Sequence, residues 1–196
     1  MTSDLCSPKQ KNMALKYSSM LDLGTAIPGF ELINVLDGAV FTSESLKNNK
    51  PSLLMVICNH CPYVIQYHEE LQRLANDFGA SVDFVAISSN DVAHYPQDGP
   101  EHMKDLFNKL GLEFPYLYDK AQALAKTLHA ECTPEFYLFN QNNILVYRGR
   151  LDDASPGNTI QPTGKDLRKA VRSLLEGGLI NGNQQPSMGC SIKWKR

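Results

Sequence analysis

The sequence lacks any apolar run long enough to cross a membrane, and its first twenty residues contain no apolar core typical of a secretory signal. It also has little excess charge, because 19 Lys and Arg stand against 21 Asp and Glu, a formal net charge of −2. That balance disfavours nucleic acid or an acidic membrane surface as a partner. These absences predict a cytoplasmic protein that binds neither membranes nor nucleic acid.

Internal repeats, low-complexity blocks and inner linkers are missing too, which favours a single domain. With 196 residues, of which 42% are hydrophobic, the chain can bury a substantial core without disulfide bonds or structural metal ions. We expect a mobile polar N-terminal tail over residues 1–24, a domain over 25–178 and a C-terminal tail over 179–196. The sequence predicts neither a cofactor nor a particular oligomeric state.

Apolar patterning predicts an α/β domain. The segment "FELINVLDGAVFTSESL" is typical of a β-hairpin that turns at Asp37-Gly38. The short apolar runs "SLLMVI" and "VDFVAIS" indicate strands buried on both faces. Further helices are predicted around 101–110 and 121–129, a second hairpin in "FYLFNQNNILVYRGRL", and a last amphipathic helix that ends at Gly177-Gly178. A first helix is predicted by apolar residues at helical spacing: Val64, Tyr67, Leu71, Leu74 and Phe78.

The motif "CNHC" stands between the buried strand and this first helix. In a reducing compartment such a pair is catalytic or metal-binding more often than structural. Unpaired N–H groups at a helix N-terminus favour a thiolate, so we expect Cys58 to attack a substrate and Cys61, one turn later, to resolve the mixed disulfide. His60 lies between them and is expected to stabilise the Cys58 thiolate.

Together with "FPYLYD", "CTPEFYLF" and "NQNNILVYRGRL", this motif resembles the thioredoxin-like superfamily over residues 25–178. The resemblance is to its peroxiredoxin-like branch, which includes redoxins and the alkyl hydroperoxide reductase and thiol-specific antioxidant group. It implies a central mixed β-sheet flanked by helices, with an N-terminal β-hairpin. It also implies that the Thr133-Pro134 bond is cis, faces the cysteine pair and positions a substrate backbone.

The resemblance implies a thiol-disulfide oxidoreductase whose substrate is a redox protein partner or a peroxide. The flanking tryptophan and the Gly-Pro dipeptide of thioredoxins are missing, and Ser52 stands about where their buried acid would be. Proton transfer must then use another group or water.

A peroxidase is the alternative enzyme, with Cys61 attacking the peroxide and Cys58 resolving the sulfenic acid. Two positions depart from the peroxiredoxin motif, because Cys58 replaces its hydroxyl residue and Leu54 replaces its proline. Such an enzyme also needs an arginine beside the thiolate, for which Arg148 and Arg150 are the candidates.

A metal-binding module is the non-enzymatic alternative, in which Cys58, Cys61, His129 and Cys132 would form a zinc or copper site. Cys132 could instead be an auxiliary thiol near the pair or a buried hydrophobe. Cys190 could be a relay thiol, could pair with Cys6 under oxidation or could stay unpaired. We predict no metal for the site itself.

Overall fold

A computed structural model describes residues 14–47 and 49–196. Cys6 lies outside these residues. The strands are β1 (Leu15–Tyr17), β2 (Glu31–Asn34), β3 (Val40–Thr42), β4 (Ser52–Val56), β5 (Asp83–Ser88), β6 (Tyr116–Tyr118), β7 (Cys132–Thr133), β8 (Glu135–Phe139), β9 (Leu145–Gly149) and β10 (Met188–Ser191). The α-helices are α1 (Pro62–Ile65), α2 (His68–Phe78), α3 (Pro100–Leu110), α4 (Ala123–Thr127) and α5 (Lys165–Leu175). Within the described ranges no helix has both the length and the apolar character needed to span a bilayer.

The main sheet has seven strands in the order β3-β2-β6-β5-β4-β8-β9. Strand β4 runs parallel to β5 and antiparallel to β8, so the sheet is mixed. All five residues of β4 are buried, as expected for a central strand covered on both faces. The strands of the N-terminal hairpin, β2 and β3, pair antiparallel at one edge. The predicted fold class and both hairpins are confirmed, whereas β1, β7 and β10 were not predicted.

Each face of the sheet has its own core because side chains alternate along a strand. Leu53 and Met55 enter one core with α2, α3, α5 and both cysteines of the motif. Leu54 and Val56 enter the other core with α4 and Ile192. The "CNHC" motif therefore lies on the face that carries three of the longer helices.

The first predicted helix is divided in two, α1 and α2, at Gln66 and Tyr67. Its apolar face is nevertheless buried as predicted. The Tyr67 hydroxyl donates to the Ala154 carbonyl at 2.7 Å and lies 3.0 Å from Oδ1 of Asp152. These hydrogen bonds of the Tyr67 hydroxyl attach the junction between α1 and α2 to the loop that follows β9.

Residues predicted as tails supply two strands, β1 and β10, of a second, three-stranded sheet. Its order is β1-β10-β7. Strand β1 pairs with β10, and β10 pairs antiparallel with β7 directly before Pro134. The boundaries at 24 and 179 thus differ from the structure, because 14–24 and 179–196 contribute strands to it. Short strands with little apolar alternation gave no signal for this pairing.

Candidate functional site

The cysteine motif lies where β4 gives way to α1. Cys58 follows the strand by two residues, and Cys61 is the N-cap residue of α1. Its carbonyl accepts from the N–H groups of Val64 and Ile65, each at 2.9 Å. Cys58 is 1% exposed and Cys61 has no exposed surface, so the two thiols are enclosed by the protein.

Both sulfurs meet the loop at Thr133. The Sγ atom of Cys58 lies 3.3 Å from Oγ1 of Thr133, and that of Cys61 lies 3.2 Å from the Thr133 carbonyl oxygen. The Thr133-Pro134 bond is cis, as predicted. The sequence motif and the cis-proline loop, 72 residues apart at their nearest contact, therefore form one site.

The pKa values of the two thiols are shifted in opposite directions. Burial raises the pKa of Cys58, and the contact with Cys61 and the charge of Asp98 add to that rise. Hydrogen bonds from Cys190 and Cys58 lower the pKa of Cys61 and outweigh its burial. The side chain of Thr133 also lowers the pKa of Cys61.

This order differs from the expected one, in which Cys58 carried the lowered pKa. The physical reason is that the helix begins at Pro62, so Cys58 lies four residues before it. Cys58 also lies near the negative charge of Asp98. Cys61, by contrast, has its Sγ atom 2.7 Å from that of Cys190, to which it donates as a thiol and from which it would accept as a thiolate.

His60 faces a buried carboxylate that the sequence did not reveal. Its Nδ1 atom lies 2.6 Å from Oδ2 of Asp98, a residue with no solvent exposure. Although the two atoms are close, neither ring nitrogen of His60 makes a hydrogen bond within the described part of the chain. Asp98 also accepts from the Asn59 N–H and from Nδ2 of Asn90, both at 2.8 Å. The imidazole stacks on Tyr95, with ring centroids 5.6 Å apart.

Cys58, His60 and Asp98 are the one set of three or more Cys, His, Asp or Glu side chains, among the residues the structure describes, whose donor atoms all lie within 4.8 Å. Two ligands of a tetrahedral zinc ion stand on the order of 3.4 Å apart, given bonds of about 2.1 Å. The contact of 2.6 Å between His60 and Asp98 is shorter than that. The pair would have to separate before it could hold an ion.

The metal alternative fails in its ligand set, because Cys58, Cys61, His129 and Cys132 do not form such a group. His129 lies just after α4, is exposed and has a positive φ of 53°. The buried residues on either side of it, Leu128 and Ala130, turn its side chain away from the core. A sequence spacing typical of zinc ligands is thus undone by the packing of a short helix.

Cys132 belongs to a different environment from the other two cysteines. Its sulfur lies 3.9 Å from Oε2 of Glu135, and burial followed by that carboxylate raises its pKa. Burial also raises the pKa of Glu135 to about 7. Neither feature favours a nucleophilic thiol at Cys132, which fits better with its alternative as a small buried hydrophobe.

Cys190, the other predicted auxiliary thiol, contacts the motif directly. Its Sγ atom lies 2.7 Å from that of Cys61, and both cysteines are free thiols. The hydrogen bond to Cys61, together with burial, raises the pKa of Cys190.

The two arginines proposed for a peroxide site have other partners. Nε of Arg150 lies 2.7 Å from Oδ2 of Asp166 on α5. Nη1 of Arg148 donates to Oε1 of Gln184 at 3.2 Å. Both side chains are therefore committed to the surroundings of β9 rather than to the sulfurs.

Comparison with known proteins places this geometry in a family. Residues 22–167 match the sequence model of the Redoxin family. The crystal structure of an uncharacterized conserved protein from Geobacillus kaustophilus is 49% identical, with a TM-score of 0.91 over 94% of this chain and 98% of that one. A hypothetical protein from Sinorhizobium meliloti is 39% identical, with a TM-score of 0.88 over 91% and 98% of the two chains.

A more distant structure shares the fold alone. It is a secreted Mycobacterium tuberculosis disulfide oxidoreductase, homologous to E. coli DsbE, which is 20% identical with a TM-score of 0.58 over 74% of this chain and 96% of that one. A comparison with curated proteins gave no match. The mixed sheet, the motif at the end of β4 and the match over residues 22–167 lead to one conclusion: the chain belongs to the Redoxin family and has a thioredoxin-like fold.

Proposed function

We propose that this chain is a thiol-disulfide oxidoreductase in which Cys58 and Cys61 cycle between dithiol and disulfide. The observation that carries the proposal is that both sulfurs contact Thr133, the residue before the cis proline, and the lowered pKa of Cys61 makes it the nucleophile. A thiolate is the nucleophile in exchange, and a second thiol in contact with it can resolve the mixed disulfide. The reaction suits a reducing compartment such as the cytoplasm, where a close cysteine pair is catalytic rather than structural.

The exchange proceeds in two balanced steps. The Cys61 thiolate attacks one sulfur of a substrate disulfide, and the other substrate sulfur leaves as a thiolate. Cys58 then loses its proton and attacks Sγ of Cys61, which releases the second substrate thiolate and leaves the Cys58–Cys61 disulfide. The two cysteines are oxidised, and the substrate disulfide is reduced to two thiols.

Proton transfer from Cys58 is the step that His60 and Asp98 support. A ring nitrogen of His60 and a carboxylate oxygen of Asp98 lie within 4.8 Å of the Cys58 sulfur. Asp98 itself accepts hydrogen bonds from two N–H donors. His60 would accept the proton as general base, and Asp98, although its charge disfavours the Cys58 thiolate, would stabilise the imidazolium that forms. Thr133, through its hydroxyl and carbonyl, positions the two sulfurs.

The test is a redox titration of the reduced protein in glutathione buffers, followed by trapping with N-ethylmaleimide and peptide mapping. Trypsin leaves both cysteines in one peptide, residues 48–73, because Lys50 precedes Pro51. We expect this peptide to lose two hydrogens as the buffer becomes oxidising, in the wild type and in Cys132→Ala. Recovery of both cysteines as maleimide adducts in the most oxidising buffer would refute the proposal.

Peroxide reduction at Cys61 is the second candidate, because the lowered pKa of that thiol also suits attack on a peroxide. It lacks the expected arginine support, since Arg148 and Arg150 are bound to Gln184 and Asp166. Equimolar hydrogen peroxide, with trapping from milliseconds to minutes, separates the two functions. A Cys58–Cys61 disulfide formed within about a second would establish the peroxidase, whereas thiols that persist for many minutes would exclude it.

A further inference from the structure

A third sulfur completes the cysteine cluster from the far end of the chain. Sγ of Cys190 lies 2.7 Å from Sγ of Cys61, although 129 residues separate them in sequence. A disulfide bond is about 2.05 Å long, so the two sulfurs need to approach by well under an ångström to bond. Cys61 thus contacts the Cys190 thiol directly, and it shares the contact with Thr133 with Cys58.

Backbone pairing determines where Cys190 lies. Strand β10 pairs antiparallel with β7, and Cys190 is opposite Thr133, the residue before the cis proline. A Cβ atom added at Gly189 would lie 2.0 Å from the Thr133 carbonyl oxygen, so only glycine allows so close an approach. The backbone edge beside the cysteine motif is therefore filled by the chain's own C-terminal strand.

Further contacts hold the segment that follows Cys190. The Lys193 N–H donates to Oδ1 of Asn90 at 2.8 Å, and the Lys193 carbonyl accepts from the Asp91 N–H at 2.8 Å. Nε2 of Gln122 donates to the same carbonyl at 2.9 Å. Asn90 also donates to Asp98, so one amide links the C-terminal segment to the carboxylate beside His60.

We propose that Cys190 is a third redox thiol of this site and that it exchanges with the Cys58–Cys61 disulfide. This inference rests on the proposed function. Cys190 loses its proton and attacks Sγ of Cys61, the bond between Cys61 and Cys58 breaks, and its electron pair passes to Cys58, which takes up a proton. No external oxidant is consumed, because one disulfide replaces another.

The exchange has a consequence for the site. In the second state, the Cys61–Cys190 disulfide attaches β10 covalently to the start of α1, and Cys58 is again a thiol. The three buried cysteines therefore hold one disulfide, which can occupy either of two positions. One of these positions holds the C-terminal strand in place over the motif.

The test uses the full-length chain and glutathione disulfide as the oxidant. Trypsin places Cys58 and Cys61 in residues 48–73 and Cys190 in residues 173–193, so the two disulfides differ in mass. The first is an internal bond in one peptide, and the second is a cross-link between two. We expect both species in the oxidised wild type after acid quenching, and an approach to the same ratio from either direction.

Single variants isolate each disulfide. Cys58→Ser should yield the cross-linked peptides alone, since Cys61 and Cys190 together reduce one glutathione disulfide to two glutathione molecules. Cys190→Ala should yield the internal bond alone, and Cys61→Ser neither. Cys132→Ala, whose cysteine falls in a separate peptide of residues 127–148, is the matched control and should reproduce the wild-type pattern. Far-ultraviolet circular dichroism and urea midpoints verify that each variant is folded.

The outcomes distinguish the two proposals. No cross-link in folded Cys58→Ser, while Cys190→Ala still forms the internal bond, would overturn the role of Cys190 and leave the proposed function standing. A cross-link in Cys58→Ser with no internal bond in Cys190→Ala would overturn the exchange and the proposed function together. An oxidised wild type that contains the internal bond alone at every glutathione ratio would also overturn the exchange.

Discussion

His60 Nδ1 lies 2.6 Å from Oδ2 of Asp98, a carboxylate that has no contact with solvent. The same carboxylate raises the pKa of Cys58 through its negative charge. One buried anion therefore acts on two residues of the cysteine motif. It contacts the imidazole, and it disfavours ionisation of the first cysteine.

Replacing Asp98 with Asn should lower the pKa of Cys58, because the nearby negative charge that opposes its thiolate is removed. The amide keeps an oxygen for the Asn59 N–H, but its NH2 group faces the NH2 group of Asn90. We therefore also expect a loss of about 1–3 kcal/mol in the free energy of unfolding. The pH dependence of the Cys58 ¹³Cβ chemical shift measures the first effect, and urea unfolding measures the second.

Asp105→Asn is the control for this experiment, since Asp105 lies on the exposed face of α3. It should change neither quantity. An unchanged or raised titration midpoint of Cys58 in Asp98→Asn would show that the carboxylate does not govern this thiol.

Replacing Cys190 with Ala should raise the pKa of Cys61. The alanine removes the thiol that contributes most to the lowered pKa of Cys61, so its thiolate loses a hydrogen-bond donor. Absorbance at 240 nm against pH, with the ¹³Cβ shift of Cys61 to assign the transition, provides the measurement. Cys132→Ala should leave the transition where it is. A Cys61 midpoint that stays in place in Cys190→Ala would mean that the contact of 2.7 Å has no electrostatic effect.

The sequence predicted the frame of this protein because its signals are local. Apart from Ser52, strand β4 is an unbroken apolar run, and each of its four apolar side chains is buried in one of two cores. The cysteine motif was identified from its position between that strand and a helical pattern. The cis bond at Thr133-Pro134 was implied by the resemblance to the thioredoxin-like superfamily, which rests in part on this dipeptide before an apolar strand.

What the sequence could not predict are contacts between distant segments. Asp98 lies in a polar loop, 38 residues beyond His60, and nothing in that loop marks one acid as buried. Cys190 was one of several unassigned thiols until β10 paired with β7. Ser52 was noted in place of a buried acid, while Glu135, one of the acids that the fold does bury, directly follows the cis proline.

Replacing Gly189 with Ala should displace β10 from β7. The new Cβ would lie 2.0 Å from the Thr133 carbonyl oxygen, and a backbone atom cannot move aside as a flexible side chain can. We expect a loss of about 1–3 kcal/mol, typical of overpacking. We also expect faster hydrogen exchange in β1 and β10, which pair with each other, and less Cys61–Cys190 cross-link on oxidation.

Gly182→Ala is the matched control, because its added Cβ would meet only a methyl group of Leu23 at 3.9 Å, an ordinary contact. That variant should retain wild-type exchange rates and cross-linking. If Gly189→Ala also retained both, β10 would not depend on the close backbone approach seen here.

Glu135 should make the protein less stable as the pH rises. Burial raises its pKa from 4.5 to about 7 in the folded state. Between these two values the folded protein binds more protons than the unfolded chain, so the free energy of unfolding falls with rising pH and becomes constant above about pH 7. A shift of this size corresponds to on the order of 3 kcal/mol across the window.

Glu135→Gln removes the titration and should therefore remove this contribution. We expect the variant to gain stability relative to the wild type when both are compared at pH 8 rather than at pH 5, as measured by urea unfolding. Glu113→Gln serves as the control because Glu113 is exposed and is not among the groups that shift the pKa of Glu135. If the difference between Glu135→Gln and the wild type stayed the same at both pH values, Glu135 would be ionised as readily in the folded protein as in the unfolded chain. Burial would then not raise the pKa of Glu135.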